Sequence, residues 1–265
     1  MSDPRPIGVF DSGIGGLTVL AEMRRRLPGE RYIYLGDTAR LPYGTKSAET
    51  VVRYALRAAS FLAERGIKML VVACNTVSAA ALPALEEAMD VPVIGVVHPG
   101  ARAAVAGTAG RVGVIGTEST VASGAYPRAV RALRPEVEVV ARACPLFVPL
   151  VEEGWFDHPV TREVSRVYME PFAGGRVDTL ILGCTHYPLL RGAISEAVGS
   201  RVRLVDSAEA VAGEVSELLG REAITSPAAG GLQLLVTDAA ARVTRIARLI
   251  LPEAAVTLEL VDLAD

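Results

Sequence analysis

Short apolar runs alternate with longer amphipathic stretches along almost the whole chain, and no other feature of the sequence constrains the fold so tightly. The runs fall at 6–10, 31–35, 68–73, 92–97, 111–116, 137–141, 178–183, 201–206 and 232–236. Most hold an unbroken apolar stretch, as strands buried on both faces do. Between them, segments 48–65, 76–89, 160–173, 208–220 and 239–250 set Ala, Leu and Val three or four residues apart, with Arg and Glu opposite. That is the pattern of helices lying on a sheet. Strand and helix in this rhythm build βα units, so the expected class is α/β with mainly parallel sheets.

The rhythm is duplicated. Ile7-Gly-Val-Phe-Asp-Ser12 aligns with Val112-Gly-Val-Ile-Gly-Thr117, and Met69-Leu-Val-Val-Ala-Cys-Asn-Thr76 aligns with Thr179-Leu-Ile-Leu-Gly-Cys-Thr-His186. After each cysteine a helix and another strand are expected at similar spacing, so two α/β domains related by pseudo-symmetry are expected. With 265 residues there is material for two domains at about 100–200 residues each. The second begins near His98 and spans 98–207. The first takes 1–97 and recovers the segment from about 208 to 265, which is too short for a third core. Residues 226–231, Ser-Pro-Ala-Ala-Gly-Gly, read as a flexible loop.

Composition narrows the function. The chain is 51% apolar and 22% charged, with a net charge of −3, so it carries no general attraction for a phosphate backbone and no nucleic-acid partner is expected. Arg, Glu, Gly or Pro breaks every apolar run before it could span a bilayer, and the first residues carry no secretory signal pattern. A cytoplasmic chain with no membrane partner is expected. Cys74, Cys144 and Cys184 are too few for a disulfide framework and too scattered for a zinc clip, so no metal site is expected. If the cysteines matter, they matter as thiols.

Ligands of parallel α/β sheets sit beyond the carboxyl ends of the strands, where helix N-termini point outward. The residues placed there are Asp11-Ser12-Gly-Ile-Gly-Gly16, Gly36-Asp37-Thr38, Cys74-Asn75-Thr76, Thr117-Glu-Ser-Thr120 and Cys184-Thr185-His186, with Pro42-Tyr43-Gly44 in a following loop. A lone cysteine is most often a small buried hydrophobe, and Cys144 takes that reading. Cys74 and Cys184 differ because both occupy the equivalent place in a repeated unit. A free thiol is only about a few per cent ionised at neutral pH, and a helix N-terminus lowers its pKa, so both sulfurs are expected to be activated by position. Two thiols facing each other across a cleft suit a reaction in which one takes a proton from a carbon and the other delivers one to the opposite face. Asp11 reads either as a helper or as a helix cap near Leu17, and His186 as a helper or a satisfied loop histidine. Gly13-x-Gly15-Gly16 with Asp37 offers a rival reading, a dinucleotide-binding oxidoreductase, weakened by Thr18 where a third glycine belongs.

The segments VFDSGIGGLTVL, YLGDTARLPYGTKS, VVACNTVSAA, PVIGVVHPG, VIGT, FVPLVEEG and LILGCTHYPLL, in this order, resemble the set that marks bacterial glutamate racemases, part of the wider cofactor-independent aspartate/glutamate racemases. They run from residue 7 to about 190, and the last fifty or so residues match none of them. The resemblance implies two domains with the active site in the cleft between them. It implies Cys74 and Cys184 as acid/base thiols, Cys74 deprotonating D-glutamate and Cys184 L-glutamate. Asp11 would assist Cys74, while His186 and Glu152 would assist Cys184. By resemblance Asp11, Ser12, Pro42, Tyr43, Gly44, Asn75, Thr76, Thr117, Thr120, Thr185 and His186 hold glutamate, the small-molecule partner. The residues alone do not separate Glu152 from Glu153. No cofactor is implied, and pyridoxal phosphate would find only Lys46 and Lys68, neither in a matching motif. An aspartate racemase is the nearest rival, since one methylene in a pocket is worth only about 1–3 kcal/mol. The sequence fixes no oligomer; a homodimer is compatible with it.

Overall fold

The structure is a computed structural model that describes residues 3–222, 224–226, 230–238, 241–252 and 257–263. Of the loop expected at 226–231, residues 227–229 lie outside these, as do 239 and 240 of the helix expected at 239–250. Ten strands are present among the described residues. They are β1 (Ile7–Asp11), β2 (Arg31–Gly36), β3 (Met69–Val72), β4 (Val93–Gly95), β5 (Arg111–Gly116), β6 (Glu138–Ala143), β7 (Thr179–Gly183), β8 (Arg203–Asp206), β9 (Gly231–Val236) and β10 (Leu258–Leu260). The helices are α1 (Leu17–Arg26), α2 (Ala48–Ala63), α3 (Asn75–Ala80), α4 (Leu82–Ala88), α5 (Val97–Val105), α6 (Glu118–Ala122), α7 (Ala125–Leu133), α8 (Phe147–Glu152), α9 (Pro159–Met169), α10 (Arg191–Val198), α11 (Ser207–Arg221) and α12 (Ala241–Ile250).

The strands form two sheets, ordered β10-β9-β2-β1-β3-β4 and β6-β5-β7-β8, and every pairing is parallel. Leaving aside β9 and β10, both halves place the second strand outside the first and the third and fourth on the other side, which is the duplication written as topology. The central strands are buried, β1 throughout and β5 from Val112 onward: β1 pairs Ile7 with Tyr32 and Met69, and β5 pairs Val112 with Val139 and Thr179. The class is α/β with two similar sheets, as the periodicity indicates.

Local signals set the helices. Ser47 caps α2 by accepting from the Thr50 N–H at 3.3 Å, and Val51, Ala55, Ala58, Ala59 and Leu62 form one buried stripe. The single helix expected over 76–89 is two. Ala81 separates α3 from α4, and Pro83, which has no N–H to donate, sits in the first turn of α4 rather than inside a longer helix. The strand expected over 92–97 ends at Gly95, and α5 begins at Val97 with Pro99 in its first turn. β10 has no counterpart among the expected strands.

At the N-terminal ends of the strands the Lys68 ammonium is fully buried, 2.7 Å from the Glu30 carboxylate, and donates to the carbonyls of Asp3 and Ile224. Glu30 also accepts from the Ser226 N–H at 2.7 Å. This ion pair sews the start of the chain and the segment before β9 to the same end of the sheet. A buried pair robbed of one partner costs about 3–5 kcal/mol.

Candidate active site

At the carboxyl ends of β1, β3, β5 and β7 the two sheets enclose a cavity of about 380 Å³. Both Cys74 and Cys184 line it, together with Ser12, Pro42, Tyr43, Gly44, Asn75, Thr76, Thr117, Glu152, Thr185 and His186. Two residues expected there stand behind the wall. Asp11 is 1% exposed, and its Oδ2 accepts from the N–H groups of Gly13 and Gly16 and from the Tyr34 hydroxyl. It thus anchors the glycine loop at the start of α1, close to the capping reading. Thr120 is also buried and shares hydrogen bonds with the hydroxyls of Thr76 and Thr117, which lie 3.0 Å from each other.

The thiols depart from the electrostatic expectation. Cys74 caps α3, a helix of only six residues, and Cys184 is followed by a single 3-10 turn, Tyr187–Leu190, so neither sulfur meets a long helix dipole. Burial outweighs what dipole remains and pushes the Cys74 thiol up to about 11 and the Cys184 thiol further. Around Cys74 the opposing influences are the Ser12 hydroxyl, 3.3 Å away, and the N–H groups of Val77 and Ser12. Around Cys184 the His186 N–H favours the thiolate, while the charges of Cys74, Asp11 and Glu152 disfavour it.

His186 places Nδ1 3.8 Å from the Cys184 sulfur and Nε2 3.8 Å from Glu152 Oε1. Burial holds its pKa down to about 4, so the imidazole is neutral near pH 7. Glu152 faces the cavity while its neighbour Glu153 is exposed at the end of α8. Asn75 is 3% exposed; its Oδ1 accepts from the Tyr126 hydroxyl at 2.6 Å, while its amide nitrogen has no partner among the described residues. The Tyr43 hydroxyl is turned away from the cavity and donates to Asp37 at 2.6 Å.

The glycine loop does not cradle a dinucleotide. A Cβ on Gly15 would lie 2.4 Å from His186 Nδ1 and 2.5 Å from Thr185 Oγ1, so the loop is fitted against the Cys184 turn. Asp37 is fully buried and takes hydrogen bonds from Tyr43, Thr237 and Arg40. Neither is placed for a pyrophosphate or a ribose.

Glu118, within the strand-end segment Thr117–Thr120, also lines the cavity, as do Leu41, Thr45, Pro145, Val148 and Pro149, which were not singled out from the sequence. Pro145, Val148 and Pro149 follow β6, whose end at Ala143 lies beyond the run read at 137–141. No Arg or Lys is among the lining residues, so a carboxylate would be held there by neutral donors.

Cys144 is fully buried away from the cavity, its carbonyl accepting from Tyr187 and its sulfur contacting the Arg142 carbonyl at 3.8 Å. Cys144→Ser is expected to leave turnover within about twofold of wild type at some cost in stability, as a buried polar substitution does. A hundredfold fall in kcat with folding intact, checked by circular dichroism, would move a catalytic thiol to this position.

A family model described as Asp/Glu/Hydantoin racemase matches residues 7–215. The glutamate racemase of Geobacter metallireducens is 55% identical over 245 residues, which cover 91% of this chain and 91% of that protein. The crystal structure of a glutamate racemase isoform from Bacillus anthracis matches with a TM-score of 0.93 at 40% identity, covering 97% of each chain. That of the Francisella tularensis enzyme, in complex with D-glutamate, gives a TM-score of 0.93 at 36% identity, covering 98% of each. Identity of this extent, reached with the same fold from end to end, is the mark of common descent: the chain belongs to the Asp/Glu/Hydantoin racemase family, among its glutamate racemases.

Proposed function

We propose that this chain interconverts L- and D-glutamate without a cofactor and so supplies D-glutamate for peptidoglycan. The observation that carries the reading is the pair of buried thiols from equivalent strand ends of a duplicated sheet, both lining one cavity that presents no cation. One thiolate takes the Cα proton and the opposite thiol returns a proton to the other face. Cys184 acts on L-glutamate and Cys74 on D-glutamate. Burial makes each thiolate rare in the empty site, but a buried thiolate is a strong base once formed, and the substrate ammonium supplies the nearby positive charge that stabilises it. Asp11, behind Cys74, raises the basicity of that sulfur further. His186, neutral and backed by Glu152, serves Cys184.

The glutamate carboxylates are held by the unpartnered amide of Asn75, by Ser12, Thr76, Thr117 and Thr185, and by the backbone around Pro42, Tyr43 and Gly44, with Thr120 steadying Thr76 and Thr117. We divide the chain into domains 1–97 with 208–265 and 98–207, the cavity lying at their junction. Free thiols suit the reducing cytoplasm. Each chain holds both thiols, so a homodimer would not be needed to complete the site.

The test is incubation with L-glutamate in deuterium oxide, with a chelator present and no pyridoxal phosphate. Loss of optical rotation together with deuterium at Cα is expected, and aspartate should give a much lower kcat/KM. Activity lost on chelation and restored by a divalent ion would overturn the reading, and an equal or larger kcat/KM for aspartate would move the substrate to the shorter acid.

A further inference from the structure

Thr18 lies in the first turn of α1, outside the cavity, yet it reaches across to the other sheet. Its hydroxyl proton is shared between the Gly15 carbonyl at 2.8 Å and the Thr185 carbonyl at 3.2 Å. The Thr185 carbonyl belongs to the peptide that joins Thr185 to His186, and the imidazole carried by that peptide places Nδ1 3.8 Å from the Cys184 sulfur. A hydrogen bond to the carbonyl of a peptide fixes the plane of that peptide and, with it, the direction in which the following side chain leaves the backbone. The contact is reinforced by shape, because Gly15 leaves no space for a side chain between the loop and the Thr185–His186 turn.

We propose that Thr18 is a positioning residue for Cys184: its hydroxyl locks the Thr185–His186 peptide so that the His186 ring is held beside the sulfur when proton transfer occurs. The proposal rests on the racemase reading above. Cys74 has no comparable dependence on the other sheet, since the side chain that faces its sulfur is the Ser12 hydroxyl, 3.3 Å away at the end of β1 in its own sheet. The half of the reaction run through Cys184 therefore depends on a side chain of the other sheet. Thr18 occupies the place where a dinucleotide-binding loop carries its third glycine, and this contact gives that position a purpose.

Racemisation itself cannot separate the halves, because both thiols act in each turnover. Elimination can. From a glutamate carrying chlorine on Cβ, one thiolate takes the Cα proton, the electron pair forms the Cα–Cβ double bond and chloride leaves. The resulting enamine adds water to give 2-oxoglutarate and ammonium, so the rate is read as 2-oxoglutarate formed. The enantiomer that Cys74→Ser still processes is the one handled by Cys184. For that enantiomer Thr18→Val is expected to lower kcat about tenfold, the size of one lost hydrogen bond, with KM little changed. The other enantiomer should stay within about twofold, which also shows the variant to be folded. Thr18→Ser, which keeps the hydroxyl, should restore the lost rate. Equal slowing of both enantiomers, no slowing of either, or a Thr18→Ser variant as slow as Thr18→Val would overturn the proposal. A wild-type protein that leaves glutamate unracemised would instead overturn the reading beneath it.

Discussion

Replacing either Cys74 or Cys184 with serine should abolish measurable racemisation, because a hydroxyl is far too weak an acid and base near neutral pH to stand in for a positioned thiol. The two variants should nevertheless differ. With the β-chlorinated glutamate, which needs only proton abstraction, Cys74→Ser should retain elimination from the L form through Cys184. Cys184→Ser should retain it from the D form through Cys74. Loss of elimination from both enantiomers in both variants would point to a single base or a covalent intermediate. A reversed preference would keep two bases but exchange the faces assigned to them.

Asp11→Asn should be the next largest effect, and it separates two roles that the geometry superimposes. The asparagine oxygen can take the place of Oδ2 and still accept from Gly13, Gly16 and Tyr34, so the glycine loop and the melting temperature should be preserved. The buried negative charge is lost. Since that charge raises the Cys74 thiol, its removal lowers the pKa and the basicity of the sulfur together. Racemisation should fall about a hundredfold, in the lower range for a lost acid/base helper, and the rise of elimination from D-glutamate analogues with pH should begin at lower pH. Near-normal turnover with no change in the pH dependence would reduce Asp11 to an anchor for the loop.

The parallel sheets and the two thiols were legible because they depend on local pattern and on repetition. Cys74 and Cys184 stand out from Cys144 only through their equivalent places after β3 and β7, and the cavity lies at those strand ends. What depends on rotation or burial was not legible. Glu152 and Glu153 are identical in composition, and about 100° of helical turn decides which one faces the cavity, once Phe147, Leu150 and Val151 have taken the core side of α8. The elevated thiol pKa values also escaped, because a sequence shows that a helix follows Cys74 but not how short it is or how dry the surroundings are. The strand β10 is three residues with a glutamate at its centre, too brief for any periodicity. The break between α3 and α4 could have been read from Pro83.

The order of the larger sheet bears on how the molecule is made. Four strands, β5 to β8, are complete once residue 206 has left the ribosome, so the smaller sheet can close while synthesis continues. The larger sheet cannot. Until Gly231–Val236 arrives, β2 presents an open row of N–H and C=O groups along its full length, and Lys68 waits for the Ile224 carbonyl. An unpaired parallel edge is a site for wrong partners. The nascent chain thus carries a finished insert inside an unfinished host, and the host's exposed edge is covered by a segment translated only after the insert.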